Sequence, residues 1–213
     1  MIQHLKFNTE MIRDMIKNKR WHIFFIYALS LLTSCDNTST PKPKGYFKIP
    51  LPKKSYQSFN EPGFPYAFEY PTYGKIIQDS TFFDTIPDNP YWINIDFPEF
   101  NSKIYISYKP INSSGNFDLL IKDAFKMTGK HSVKASYIEE IPFKESNHVT
   151  GILFDVGGNA ATGKQFFATD STLHFLRGAL YFDAVPNYDS ILPVENFLYE
   201  DVLHLIKSLR WKK

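Results

Sequence analysis

Hydrophobic and polar positions divide the chain into short alternating runs and two longer runs of helical period. The densest apolar stretch, QFFATDSTLHFLRGALYFDAVPNYDS from Gln165 to Ser190, predicts two strands at 165–169 and 172–182. Asp170-Ser171 would form the tight turn between them, since both side chains bond readily back to the backbone. A hairpin this apolar is marginal alone and needs further strands or a helix against it. Residues 66–70 alternate and stop at Pro71, a short strand. In 92–97, Ile93, Ile95 and Phe97 share one side, and in 103–108 so do Ile104, Ile106 and Tyr108. The link 98–102 is short enough for a hairpin. Further strands are predicted at 136–143 and 151–156, the second leading through Gly157-Gly158 to the 165–182 hairpin. Residues 73–89 read as a loop with room for a short strand near 80–85.

Phe117, Leu120, Ile121, Ala124 and Phe125 fall on one helical face, with Asn116 as the expected N-cap and Gly129 as the stop. Near the C-terminus, Val194, Phe197, Leu198, Val202, Leu205, Ile206 and Leu209 make a second apolar face. Pro193 is expected in the first turn of that helix, with Glu195 at the positive end of its dipole and Lys207 and Arg210 at the other. Antiparallel strands with two packing helices predict an α+β domain.

Charge and composition change the picture at the N-terminus. The chain of 213 residues carries a formal charge of +2, but five of its 24 Lys and Arg (Lys6, Arg13, Lys17, Lys19, Arg20) precede position 35. From there on 19 basic residues face 20 acidic ones, so no basic face for nucleic acid is expected. Lys17, Lys19 and Arg20 precede the apolar run 23–32, followed by Leu32-Thr33-Ser34-Cys35. This is the pattern of a secretory signal at 1–34, and a run of about ten to twelve apolar residues is too short to span a bilayer as a helix. The charged stretch before Met15 is longer than a signal needs, which makes Met15 an alternative start. Leu-Thr-Ser-Cys resembles the lipobox of bacterial lipoproteins, in which the cysteine becomes the lipidated first residue. Cys35 is the single cysteine, so neither a disulfide framework nor thiol catalysis is expected. Residues 35–52 then form a lipidated tether, with DNTSTPKPK extended and solvated and 45–51 either a first edge strand or an arm on the domain. One globular domain is expected over 53–213.

Several stretches imitate chemistry. Gly158 to Lys164 matches seven positions of a phosphate-binding loop, but Gln165 stands where Ser or Thr would hold magnesium, and a strand follows instead of a helix. A glycine-rich connection between strands explains it better. Asp170, Ser171 and His174 are adjacent turn residues, which does not set triad geometry, and G-x-S-x-G is lacking. His131, His148 and His174 are scattered, and Glu139-Glu140 would point to opposite faces of a strand. Trp92 and Tyr105 could line a binding face, with sheet core the preferred reading. No catalytic residue, cofactor or metal is expected.

Two resemblances add to this. The Tyr-Ala-Phe-Glu-Tyr-Pro opening at 66–71, the long antiparallel sheet and a final helix ending in Ser208-Leu209-Arg210-Trp211 resemble the PsbP-like α/β/α sandwich. The residues Pro41 to Tyr46, Phe68-Glu69-Tyr70-Pro71, Trp92-Ile93-Asn94-Ile95 and Gly157-Gly158-Asn159-Ala160-Ala161 resemble the gliding-motility lipoprotein GldD family. So do Gln165 to Ser171, His174-Phe175, Gly178 to Phe182 and Pro186-Asn187-Tyr188-Asp189-Ser190-Ile191. The second resemblance implies a cell-envelope lipoprotein, anchored to a membrane through Cys35 with its domain in the periplasm. It further implies an accessory part of gliding machinery linked to type IX secretion, and no enzymatic activity. A docking face on other gliding and secretion envelope proteins is expected at Asp170, His174, Asn187, Tyr188 and Asp189. The competing expectation is an envelope lipoprotein that binds or carries a small ligand in an apolar cleft.

Overall fold

In the computed structural model the described residues are Arg13, Asp14, Ile23, Gly45, 48–78 and 88–212. Apart from Arg13, Asp14 and Ile23, the expected signal segment lies outside them, as do Cys35 and the short strand expected near 80–85. Contacts divide the chain into Met1–Phe47 and Lys48–Lys213. Among the described residues no helix is long and apolar enough to cross a membrane.

Among its described residues the second unit holds ten strands: β1 (Tyr56–Phe59), β2 (Tyr66–Pro71), β3 (Lys75–Gln78), β4 (Ile93–Phe97), β5 (Ser102–Pro110), β6 (Ala135–Glu145), β7 (Val149–Gly158), β8 (Lys164–Thr169), β9 (His174–Phe182) and β10 (Arg210–Trp211). Two long helices, α1 (Ser114–Gly129) and α2 (Tyr188–Ser208), complete it. Seven strands form one antiparallel sheet in the order β3-β4-β5-β9-β8-β7-β6, and β1-β2-β10 form a small second sheet.

Alternation along each strand feeds two cores. Ile93, Ile95, Ile104, Ile106, Leu153, Phe166, Leu176 and Leu180 face one way, against Leu198, Val202 and Leu205 of α2 and Phe68 of β2. Phe154, Val156, Phe167 and Phe175 face the other way, against Leu120 and Ala124 of α1. The sheet is thus covered on both sides, and all six residues of the interior strand β8 are buried. This is the α+β architecture the apolar pattern predicts, an antiparallel sheet between helical layers.

Several local expectations are corrected. Ser113, not Asn116, caps α1: its extended backbone lets Oγ accept from Asn116 N at 3.2 Å. The helix α2 begins at Tyr188, so Pro193 sits in its second turn and Glu195 is buried in its interior. The second arm of the central hairpin starts at His174, because Asp170 Oδ1 accepts from the backbone N–H of Thr172, Leu173 and His174 and widens the turn. Ser171 takes a φ of 64° there. The described residues of 45–51 lie in no strand; the first strand is β1, held by pairing with β2. The strand β3, within the predicted loop, pairs with β4. The two-residue β10 follows α2 directly and pairs with β2, pinning the chain end. Buried Asp201 of α2 accepts from Tyr56 Oη at 3.0 Å and Tyr73 Oη at 2.5 Å and pairs with Lys54 at 2.8 Å, tying β1 to the helix.

Candidate functional site

The loop after β7 and the start of α2 meet at one end of the large sheet. Asn159 Oδ1 accepts from Tyr188 N at 2.9 Å, so the side chain of one loop satisfies an opening amide of the helix. Around them a small hollow of about 20 Å³ is lined by Gly158, Ala160, Ala161, Pro186, Asn187 and Tyr188 among others. Tyr137 of β6 reaches the same place, with its ring across Gly157 and its hydroxyl donating to Asp155 Oδ1 at 3.5 Å; the neighbouring Tyr188 first and burial second raise its pKa. Val185 is 87% and Tyr137 47% exposed, so the rim combines apolar and polar groups open to solvent.

Beneath this rim lies a buried ion cluster. Lys164 Nζ is 2.6 Å from Asp155 Oδ1 and 3.1 Å from Glu195 Oε1. Burial works against the ammonium, but the two carboxylates outweigh it and hold its pKa above the ordinary value. Burial raises the Glu195 carboxyl, against the pull of Lys164. Lys164 also sits 5.1 Å from the centroid of the Tyr199 ring.

This geometry accounts for the resemblance to a phosphate loop. Gly158 takes a φ of +98°, which glycine adopts readily, to leave β7. At Gly163 an added Cβ would stand 2.3 Å from Glu195 Oε2, so the glycine makes room for the carboxylate. Lys164 is directed to that carboxylate, and its strand runs on into the sheet. Gly163 and Lys164 serve the ion cluster, and Gly158 serves the turn out of β7.

At the far end of the β8–β9 hairpin, His174 Nδ1 is 2.8 Å from Tyr108 Oη, and its ring stacks on Trp211 at 5.0 Å. Ser171 N donates to Thr169 Oγ1 at 2.9 Å, and Asp170 is occupied by backbone amides. The imidazole is held by Tyr108 rather than by Asp170 or Ser171, so the three do not form a triad. Among the described residues no cluster of three or more His, Cys, Asp or Glu is placed to hold a metal. Trp92 is buried with its indole N–H on Tyr108 O at 2.9 Å, and Tyr105 packs edge-on against Tyr181.

The nine residues of β9 span about 26 Å at the usual rise per residue. Asp170 and His174 therefore lie at one end of the sheet, and Asn187, Tyr188 and Asp189 at the other. The five residues expected as one face form two separate groups.

A family model described as gliding motility lipoprotein GldD matches residues 36–211, nearly the whole chain after Cys35. The chain belongs to this family. It is accordingly an envelope-anchored lipoprotein of gliding motility, in a family named for movement and not for a reaction. The match takes in both loops of the rim and the ion cluster below them. A search of curated proteins finds no match. Among solved structures, the chain is similar to the solution structure of cyanobacterial PsbP (CyanoP) from Synechocystis sp. PCC 6803. The identity is 12% and the TM-score 0.44, covering 81% of this chain and 99% of that one.

The ion cluster was the part of the site that strand and helix patterns passed over. A signal was present: Glu195 lies three and seven residues before Leu198 and Val202, on the apolar face of its helix. A charge on that stripe calls for a buried partner.

Proposed function

We propose that the domain is a periplasmic scaffold or assembly component of the gliding and type IX secretion machinery, held to its membrane by lipid on Cys35 after removal of residues 1–34. Membership of the gliding lipoprotein family supports the setting. The observation that carries the scaffold role is the convergence of 158–161 with 186–189 into one exposed rim over a buried ion cluster. A rim of backbone turns, Tyr137, Val185, Asn187, Tyr188 and Asp189 offers apolar anchors and hydrogen-bonding groups on a rigid base, which suits a protein partner. Asp170 and His174 lie outside this face, with their polar groups engaged within the fold.

In-cell photocrosslinking from Val185 and from Asn187, beside a Cys35→Ala form, tests this reading. Capture of gliding or secretion envelope proteins, dependent on Cys35, is the expected result. Val185→Asp should impair gliding at unchanged protein abundance. Normal gliding by that variant, together with an absence of crosslinks from both positions, would refute the docking role.

A further inference from the structure

A second feature lies on the opposite face of the sheet, between α1 and strands β5 and β9. There a cleft of about 80 Å³ opens beside the helix, room for roughly five to eight water-sized groups. Its apolar lining comes from Trp92, Phe175, Leu120 and Met127. The indole N–H of Trp92 is directed to Tyr108 O, which leaves the ring as its contribution to the cleft. The lining also includes one cation that has no obvious reason to be there, Arg177 of β9.

Arg177 pairs across the sheet with Ser107, in a strand whose neighbouring residues Phe175, Leu176, Gly178 and Ala179 are all buried. Its guanidinium donates to Gln165 Oε1 at 2.5 Å, a neutral acceptor. Burial pushes its pKa down, and the neighbour that opposes this is Tyr181, not a carboxylate. Its charge reaches His131, where burial first and Arg177 second hold the imidazole below its ordinary pKa. Behind it the Gln165 side chain is fully buried, and its Nε2 has no hydrogen-bond partner among the described residues. The Gln165 amide cannot simply turn over, because its oxygen is the acceptor for Arg177. Arg177 and the Gln165 amide behind it thus hold more donors than acceptors, and of the two only Arg177 lines the cleft. A half-buried guanidinium with five N–H groups, given one neutral acceptor, is a poor structural element and a good anion seat.

Two other charged groups border the cleft. Lys109 is ion-paired with Asp88 at 2.9 Å. Asp123, on the solvent side of α1, places a negative charge near the opening. The carboxylate would oppose an entering anion, which gives the reading a definite sign to test.

We infer that this cleft binds a small carboxylate borne on a short apolar body, with the carboxylate on Arg177 and the carbons against Trp92, Phe175 and Met127. Fork-to-carboxylate pairing supplies direction, and the aromatic and thioether walls supply apolar burial. The site lies apart from the rim proposed for protein docking, so either reading can fail without the other.

The test is titration calorimetry of the full chain with hexanoate, hexanol and hexylamine, with the methyl resonance of Met127 reporting location. Hexanoate should bind saturably and shift that methyl, hexanol should bind roughly ten-fold more weakly, and hexylamine should show no saturable binding. Arg177→Gln should weaken hexanoate by a similar factor. Asp123→Asn should tighten it a few-fold, and Met127→Glu should weaken it. These last two changes are on the exposed side of α1 and keep the test valid even where Arg177→Gln perturbs folding. Equal affinity for hexanoate and hexanol, no saturable hexanoate binding, or Asp123→Asn without effect would each overturn the proposal.

Discussion

Replacing Lys164 by Met probes the ion cluster directly. The methionine keeps length and apolar bulk but leaves the Glu195 and Asp155 carboxylates facing each other without a cation. The Lys164 and Glu195 side chains are only 5% and 7% exposed, so solvent screens this loss little, whereas Asp155 at 20% is relieved in part. Removing one partner of a buried pair typically costs about 3–5 kcal/mol, and the partial exposure of Asp155 points to the lower end, about 3 kcal/mol at pH 8. The penalty depends on pH with a definite sign. Burial raises Glu195 even with Lys164 present, and without the ammonium it rises further. A carboxyl whose folded pKa is above its unfolded value takes up protons on folding, so the variant loses stability as pH rises from the unfolded carboxylate value to the folded one. Urea unfolding at pH 5 and pH 8 measures this. The gap between wild type and Lys164→Met should shrink at pH 5, by up to about 1.4 kcal/mol for each pH unit over which Glu195 alone titrates. Lys164→Met/Glu195→Leu should recover much of the loss at pH 8, because a matched apolar pair needs no cation. A loss equal at both pH values, or no recovery in the double variant, would refute the buried-pair account.

Gly163→Ala sets a Cβ against the Glu195 carboxylate and should destabilise the domain by about 1–3 kcal/mol in chemical denaturation, with Glu195→Ala relieving part of it. Asp170→Asn should cost about 1–2 kcal/mol at neutral pH, since one charged oxygen serves three backbone amides. Burial tends to raise the Asp170 pKa, but those amides outweigh it and hold it below the ordinary value. Its stabilisation is present above the unfolded pKa and lost as pH falls through the folded one, so wild type and variant should converge in acid. His174 has its pKa held down by burial, against the nearby Asp170. The folded domain should therefore lose stability as pH falls from about 6.5 toward the folded value. NMR titration of His174 and melts of His174→Gln, which should show a flatter pH profile, check that assignment.

The strands and helices were largely legible in the sequence because period is a local property. Ile93, Ile95 and Phe97, like Ile104, Ile106 and Tyr108, declare one face of a strand without reference to anything distant, and both faces are buried as the pattern requires. The helical stripes of α1 and α2 are equally local. What local pattern missed were choices among near-equal neighbours and pairings across the chain. Ser113 and Asn116 are both good caps, and only the path of the incoming chain selects the first. The strands β1 and β10 are too short to stand alone and exist because β2 is present between them to pair with. The candidate sites depend still more on tertiary structure. Lys164 and Glu195 are thirty-one positions apart, and the fold alone turns a lysine in a false phosphate motif into the centre of a buried ion cluster. Five residues that look contiguous in function separate to the two ends of a strand about 26 Å long, because β9 runs straight between them. Arg177 reads in sequence as an interruption of an apolar strand; only the placement of α1 makes it the charged floor of a cleft. Period is written into each segment by side-chain geometry, whereas the location of a charge is decided by which distant segment covers it.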